Sequence, residues 1–197
     1  MDMRTWTRAV PAAAGALALA VALTGCNNSD SGKDKRSSDS AGHKKAYRLG
    51  EASPPQESTM QSSKGSKFTV TPTKAQTGTK ADMDKSGLDT SKEKRPEVPV
   101  YVWATLTHQS GKAMEVGDMD EDLVVRTDMG VRTRALVVVM GEAEWPNCPA
   151  PDTGKKLSPG QSEKICTAFL IPEGQKAAAV ELSQGFSSDP LEWPVTG

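Results

Sequence analysis

Residues 98–108 read VPVYVWATLTH. Val98, Val100, Val102, Ala104 and Leu106 fall on one side of a two-residue alternation, and Tyr101, Trp103, Thr105 and Thr107 on the other. Successive side chains of a strand point to opposite faces of its sheet, and β-branched and aromatic residues suit that pleated surface. The stretch therefore predicts a long strand with one face in a core and the other partly wet. No part of the chain shows an apolar period of 3.6 residues over helical length, so long helices are not expected.

The same texture recurs on both sides of this strand. Strands are predicted near 67–72 (KFTVTP), 122–127 (DLVVRT), 131–140 (VRTRALVVVM), 162–171 (SEKICTAFLI), 177–183 (AAAVELS) and 191–195 (LEWPV). Asp128, Met129 and Gly130 join two of them as a short hairpin, with Gly130 available for a left-handed position. Seven short strands separated by turn signals, in about 110 residues once a polar insertion at 76–97 is set aside, fit an all-β, immunoglobulin-like β-sandwich. A small closed barrel is the architectural alternative.

The flanking segments set the domain organisation. From Asn27 to Ser66 there are ten serines and only Tyr47, Leu49 and Met60 as larger apolar side chains. Such a composition buries too little surface to offset the cost of ordering a backbone, so residues 26–66 are expected to form a disordered tether and 67–197 the folded domain. Before the tether, Arg4 and Arg8 precede an apolar run from Ala9 to Leu23. At about 1.5 Å per residue this run reaches ~22 Å, short of a ~30 Å hydrocarbon core, so 1–25 reads as a secretory signal peptide and not a permanent membrane helix.

Leu23, Thr24, Gly25 and Cys26 close that run. The four residues resemble the lipobox of bacterial lipoproteins. The resemblance implies a diacylglycerol on the Cys26 thiol, cleavage before Cys26, and a chain held by membrane lipid on the extracytoplasmic face. Two acyl chains anchor stably where one holds only weakly. With Cys26 given to lipid, Cys148 and Cys166 remain as an even pair outside the reducing cytosol and are expected to form a disulfide. Their spacing is not the C-x-x-C of redox-active pairs.

Order and spacing in the folded part also resemble an uncharacterised family of immunoglobulin-like domains found in lipoproteins of Gram-positive bacteria. The matching elements begin with Phe68-Thr69-Val70, Val98 to His108 with a polar turn at Gly111, and Leu123 to Arg126 with Asp128 and Gly130. Leu157-Ser158-Pro159-Gly160-Gln161, Phe169 to Gly174 and Trp193 follow. The resemblance implies an extracytoplasmic binding or scaffolding domain and supplies no catalytic residues. The insertion after the first strand and the Cys148, Cys166 pair depart from its pattern.

Lys and Arg number 24 against 25 Asp and Glu, so the concentrated positive field that nucleic-acid binding requires is missing. His108 is the one histidine of residues 67–197 and reads as a surface residue in a turn. Without G-x-S-x-G, H-E-x-x-H or a phosphate loop, no enzyme and no cofactor are expected.

Two readings of binding chemistry arise. In the segment 141–156, GEAEWPNCPAPDTGKK, Trp145 and Pro146 offer a rigid surface, Pro149 and Pro151 limit conformation, and Cys148 staples the loop, which favours recognition at low ordering cost. Trp145 as a cap on the core is the competing role. In the insertion, Asp82, Asp84, Ser86, Gly87, Leu88, Thr90 and Glu93 occupy positions 1, 3, 5, 6, 7, 9 and 12 of a calcium loop, though without flanking helices. The acidic run Asp118, Asp120, Glu121, Asp122 reads as a solvated loop. The expected function is non-catalytic binding or scaffolding of an envelope protein, glycan or small ligand, with a calcium-responsive accessory or sensor lipoprotein as the alternative.

Overall fold

A computed structural model describes residues 46–88, 96–138, 143–183 and 189–196. The predicted leader 1–25, Cys26 and the first part of the tether lie outside the described residues. In chain order the elements are β1 (Gln56–Glu57), β2 (Lys67–Thr77), α1 (Lys80–Lys85), β3 (Glu97–Ser110), β4 (Met114–Glu115) and α2 (Gly117–Asp120). They continue with β5 (Leu123–Thr127), β6 (Arg132–Arg134), β7 (Lys156–Leu157), β8 (Ser162–Pro172), β9 (Ala177–Leu182) and β10 (Leu191–Pro194).

Two antiparallel sheets, β1-β2-β3-β8 and β10-β9-β5-β6, face each other, and β4 pairs with β7 at one side. The architecture is an all-β, immunoglobulin-like sandwich and not a closed barrel. The inward face of β3 is the predicted one: Val98, Val100, Val102, Ala104 and Leu106 are buried with Phe68, Val70, Phe169 and Ile171 of their own sheet. Leu123, Val125, Val180, Leu182, Leu191 and Trp193 meet them from the opposite sheet, and Met114, Val116, Met119 and Leu157 close the side. Gly130 takes the left-handed conformation, φ +80°, in the turn between β5 and β6.

All seven predicted strands are present, but β6 is far shorter than 131–140. After Arg134 the chain leaves β5 and crosses to the other sheet: Ala135 bridges Phe169, and the Leu136 N–H donates to the Ala168 carbonyl at 2.9 Å. Ala135, Leu136, Val137 and Val138 are consecutive apolar residues without the alternation that would hold them on one sheet face. The strands missing from the sequence reading, β1, β4 and β7, have two residues each, too few for a period to register.

The tether requires a correction, since residues 46–66, assigned to it by composition, are tied into the folded domain. Ala46 bridges Glu192, the Tyr47 ring lies 5.4 Å from that of Trp193, and Trp193 Nε1 donates to the Glu51 carbonyl at 2.9 Å. Ser53 exchanges hydrogen bonds with the Val70 backbone, and Ser53, Ser58, Ser63 and Ser66 are all buried. Ser58 and Ser63 share a hydroxyl hydrogen bond of 2.8 Å, and Ser66 Oγ donates to the Lys112 carbonyl. Gly111, at φ +101°, makes room for this strap: a Cβ there would lie 2.7 Å from Ser66 Cα. Apolar composition misjudged these residues because serine hydroxyls and backbone pairing, added to the few large side chains, tie them to the sandwich.

Across the outer face of the second sheet, Glu181 is only 2% exposed yet charged. It accepts from Arg126 Nε and Arg132 Nε at 2.7 Å each, and Arg126 also reaches Glu192. The buried carboxylate is thus compensated by two guanidinium groups and links β5, β6, β9 and β10.

Candidate functional site

The insertion after β2 and the cysteine pair meet on the outer face of the first sheet. Within the insertion, Thr79 caps α1, its side chain accepting from the Asp82 N–H, while Asp82 Oδ2 accepts from the Thr79 N–H at 2.7 Å. This reciprocal capping box and the Lys80 to Asp84 ion pair of 2.8 Å support a helix of six residues whose buried side chain is Met83. Two apolar residues in six, Ala81 and Met83, are too few for a helical period to register.

Met83 joins Tyr101, Trp145, Cys148, Cys166 and Ala168 in a second apolar cluster. The Tyr101 ring meets that of Trp145 edge-on at 5.7 Å, and the Glu144 N–H donates to the Ser86 carbonyl at 2.9 Å, tying the loop to the end of α1. Cys148 and Cys166 form the expected disulfide, with Cα atoms 5.1 Å apart. Cys166 lies opposite Trp103 on β3, and Ala168 opposite Tyr101. The face expected to be partly wet is therefore roofed at its centre. Burial pushes the Tyr101 phenol up to about 12, while Trp103 at the margin carries the Lys74 ammonium 4.4 Å above its ring.

Beside this roof opens a cleft of about 800 Å³. Its lining combines Trp145, Pro146, Pro149 and Pro151 of the stapled loop, Cys166 to Ala168 of β8, and Leu136 and Val138 of the sheet-crossing segment. Trp145 is 7% exposed, so it supports the wall from behind and is not a free aromatic platform, whereas Pro146 is exposed. Among the described lining residues Glu144 is the one titratable side chain and Thr167 the one hydroxyl. Such a surface suits non-covalent capture of an apolar or aromatic group better than acid–base or nucleophilic chemistry. Pro149 and Pro151 were legible as stiffening residues. The contribution of β8 depended on register, and that of Leu136 and Val138 on the change of sheet.

The calcium geometry does not form among the described residues. Asp82 and Asp84 lie on a helix, not along an extended loop, and both carboxylates already have partners. Thr79 hydrogen bonds hold the Asp82 carboxyl below the usual carboxylate range. Ser86 is buried, its hydroxyl donating to the Met83 carbonyl at 2.7 Å, Leu88 packs at the edge of the second cluster, and Thr90 and Glu93 lie outside the described residues. Among the described residues no group of three His, Cys, Asp or Glu side chains is placed to hold a metal ion.

The acidic run 118–122 is likewise not a simple solvated loop. Asp118 accepts from Ser63 Oγ at 2.8 Å, and Asp120 is 8% exposed, accepting from Thr167 Oγ1 at 3.3 Å. Burial raises the Asp120 carboxyl from 3.8 to about 6, against the lowering effect of Thr167. The folded state thus holds this proton more tightly than the unfolded chain. The stabilisation is complete below the unfolded value and is lost as pH rises through about 6. Asp120→Asn is expected to raise stability at pH 7 by about 3 kcal/mol and to change it little at pH 4, as read by urea unfolding at both pH values. An equal effect at both would show that ionisation of Asp120 is not the cause.

His108 is fully buried and not in a surface turn. It continues the inward parity of β3 two residues after Leu106, which was a readable signal. Its Nδ1 lies 2.9 Å from the Leu157 carbonyl and its Nε2 3.0 Å from the Ser110 carbonyl, joining the end of β3 to β7.

No protein-family model matches the chain, and no curated protein is similar to it in sequence. Among solved structures it is similar to MPT63, a secreted protein from Mycobacterium tuberculosis. That likeness has 14% identity and a TM-score of 0.49, over 76% of this chain and 96% of that one. It is also similar to a functionally unknown protein from Listeria monocytogenes EGD-e, with 8% identity and a TM-score of 0.41, over 76% of this chain and 84% of that one.

Proposed function

We propose that the chain is a lipoprotein anchored through acylated Cys26 to the extracytoplasmic face of the cell membrane, and that its sandwich is a non-catalytic binding domain for an envelope protein or glycan. The observation that carries the binding role is the cleft of about 800 Å³ beside the stapled loop. Three prolines and a disulfide lower the ordering cost of a complex, and a largely apolar cleft lining suits capture of an apolar group. The signal-like leader, the Leu23 to Cys26 motif and a disulfide that needs an oxidising compartment support the address.

The test is in-cell crosslinking with the lipidated protein, comparing wild type, Ala150→Trp and Cys26→Ala. Ala150 is exposed in the cleft, so a tryptophan fills it without entering the core. Ala150→Trp is expected to cut capture of the wild-type partner or glycan about tenfold with unchanged thermal unfolding, a loss of about 1.4 kcal/mol in binding. Capture that persists in Ala150→Trp removes the cleft from the proposal. A Cys26→Ala chain that stays with the membrane fraction removes the lipid anchor.

A further inference from the structure

We propose that the occupant of the cleft is an extended peptide segment, added as a strand to the free edge of β8, with an apolar side chain in the cleft and a carboxylate beside Lys164. The inference rests on the binding reading above and narrows its partner to a protein. β8 is the last strand of the first sheet and pairs with β3 along one edge, from Ser162 to Pro172. On its other edge the Ala168 carbonyl accepts from the Leu136 N–H, and Ala135 bridges Phe169 in antiparallel sense. One end of that edge thus already takes a strand-like segment.

Within an extended strand the N–H and C=O of a residue face the same neighbour, and those of the next residue face the other way. Ala168 faces away from β3, so Cys166, Lys164 and Ser162 do too, whereas the Gln161 carbonyl, of opposite parity, accepts from the His108 N–H of β3. Beyond Leu136 the crossing segment departs from this edge: Val137 and Val138 bridge no strand, and Val137 is 78% exposed. Leu136 and Val138 form one wall of the cleft, and Cys166 to Ala168 another. The cleft therefore opens along a sheet edge. Among the described residues no backbone group pairs with Cys166 or Lys164 on this side. Such an edge is a template for a further strand, whose donors and acceptors repeat at the same interval. A glycan has no such repeat.

Charge and shape narrow the peptide further. Lys155 pairs with Glu163 and Lys156 with Glu115, but exposed Lys164 has no ion-pair partner among the described residues. Its side chain shares the outer face with that of Cys166, about 7 Å along the strand. A strand added in the sense of Ala135 places one residue opposite Cys166, in the cleft near Trp145 and Pro146, and its second neighbour opposite Lys164. The fitting pattern is apolar-x-acidic, without proline where the N–H must face β8.

The test pans a random linear octapeptide phage library on the full chain and measures the selected peptides by calorimetry. Sequences with the apolar-x-acidic pattern are expected. Backbone N-methylation scanned along them should weaken binding at least about tenfold at every second residue and little at those between. Lys164→Pro removes an N–H that faces away from β3, a change an edge strand tolerates, so thermal unfolding should hold while affinity falls at least about tenfold. Should unfolding shift, the N-methylation pattern decides alone. No selected peptide, an N-methylation profile without alternation, or full affinity in a stable Lys164→Pro overturns strand addition. If in-cell capture is still lost in Ala150→Trp, those results reject the peptide and keep the cleft. Peptides that bind Ala150→Trp as tightly as wild type reject the cleft itself.

Discussion

A chain that starts at Lys67 is expected to lose most of the stability of one that starts at Ala41. Residues 46–66 cover Trp193, which is 0% exposed in the intact domain. Deleting them removes the Tyr47 ring, the Leu49 packing, the Glu51 carbonyl that accepts from Trp193 Nε1, and the Ser53 pairing with Val70. Loss of contacts around a buried tryptophan is worth about 3 kcal/mol or more, and each buried polar group left unpaired adds about 1 to 3 kcal/mol. The total reaches at least about 5 kcal/mol, comparable with the whole stability of many domains. Urea unfolding followed by tryptophan fluorescence separates the outcomes. Equal midpoints for the two chains would mean that 46–66 rests on the surface without supporting it.

The paired change Cys148→Ala and Cys166→Ala should lower stability by about 3 kcal/mol through loop-closure entropy alone, for a sequence separation of 18 residues. For a domain of this size that is on the order of 10 °C in Tm. The structure adds a spatial expectation, because the disulfide holds only one side of the roof over the first sheet. Release of the loop carrying Trp145 uncovers Tyr101 and Met83, while the core between the sheets keeps its own contacts. Hydrogen exchange should therefore rise at the amides of Glu144, Leu136 and position 148 with little change at Val102, Val125 or Val180. Uniform loss of protection across both groups would show that the second cluster and the main core unfold as one unit.

The readable part of this protein was whatever repeats at short range. Two-residue alternation in Val98 to Leu106 and its counterparts placed seven strands and the inward face of β3, and Asp128 to Gly130 marked a hairpin. Cysteine parity supplied the Cys148 to Cys166 bond. The same rule, carried two residues further, would have put His108 inside. It failed at Ala135 to Val138, where unbroken apolar character fits either sheet and the chain uses the position to pass from one to the other.

Composition misplaced the domain boundary for a different reason. It weighs apolar side chains, whereas Ser53, Ser58, Ser63 and Ser66 are ordered by hydrogen bonds to partners up to 55 residues away in the chain. The candidate site was legible as a stiff loop around Trp145 and Pro146, but its cover, floor and far wall were not. Met83, Tyr101, Trp145 and Ala168 converge only once β3 and β8 are in register and α1 lies across them. By itself the sequence determined the positions of seven strands, the all-β class and the disulfide, because alternation, turn chemistry and thiol pairing act between near neighbours or by simple parity. Only the tertiary structure decided that residues 46–66 pack on the domain, that its strands form a sandwich and not a barrel, and where a cleft opens. Those outcomes depend on register and on buried hydrogen bonds between segments whose distance in sequence says nothing of their distance in space.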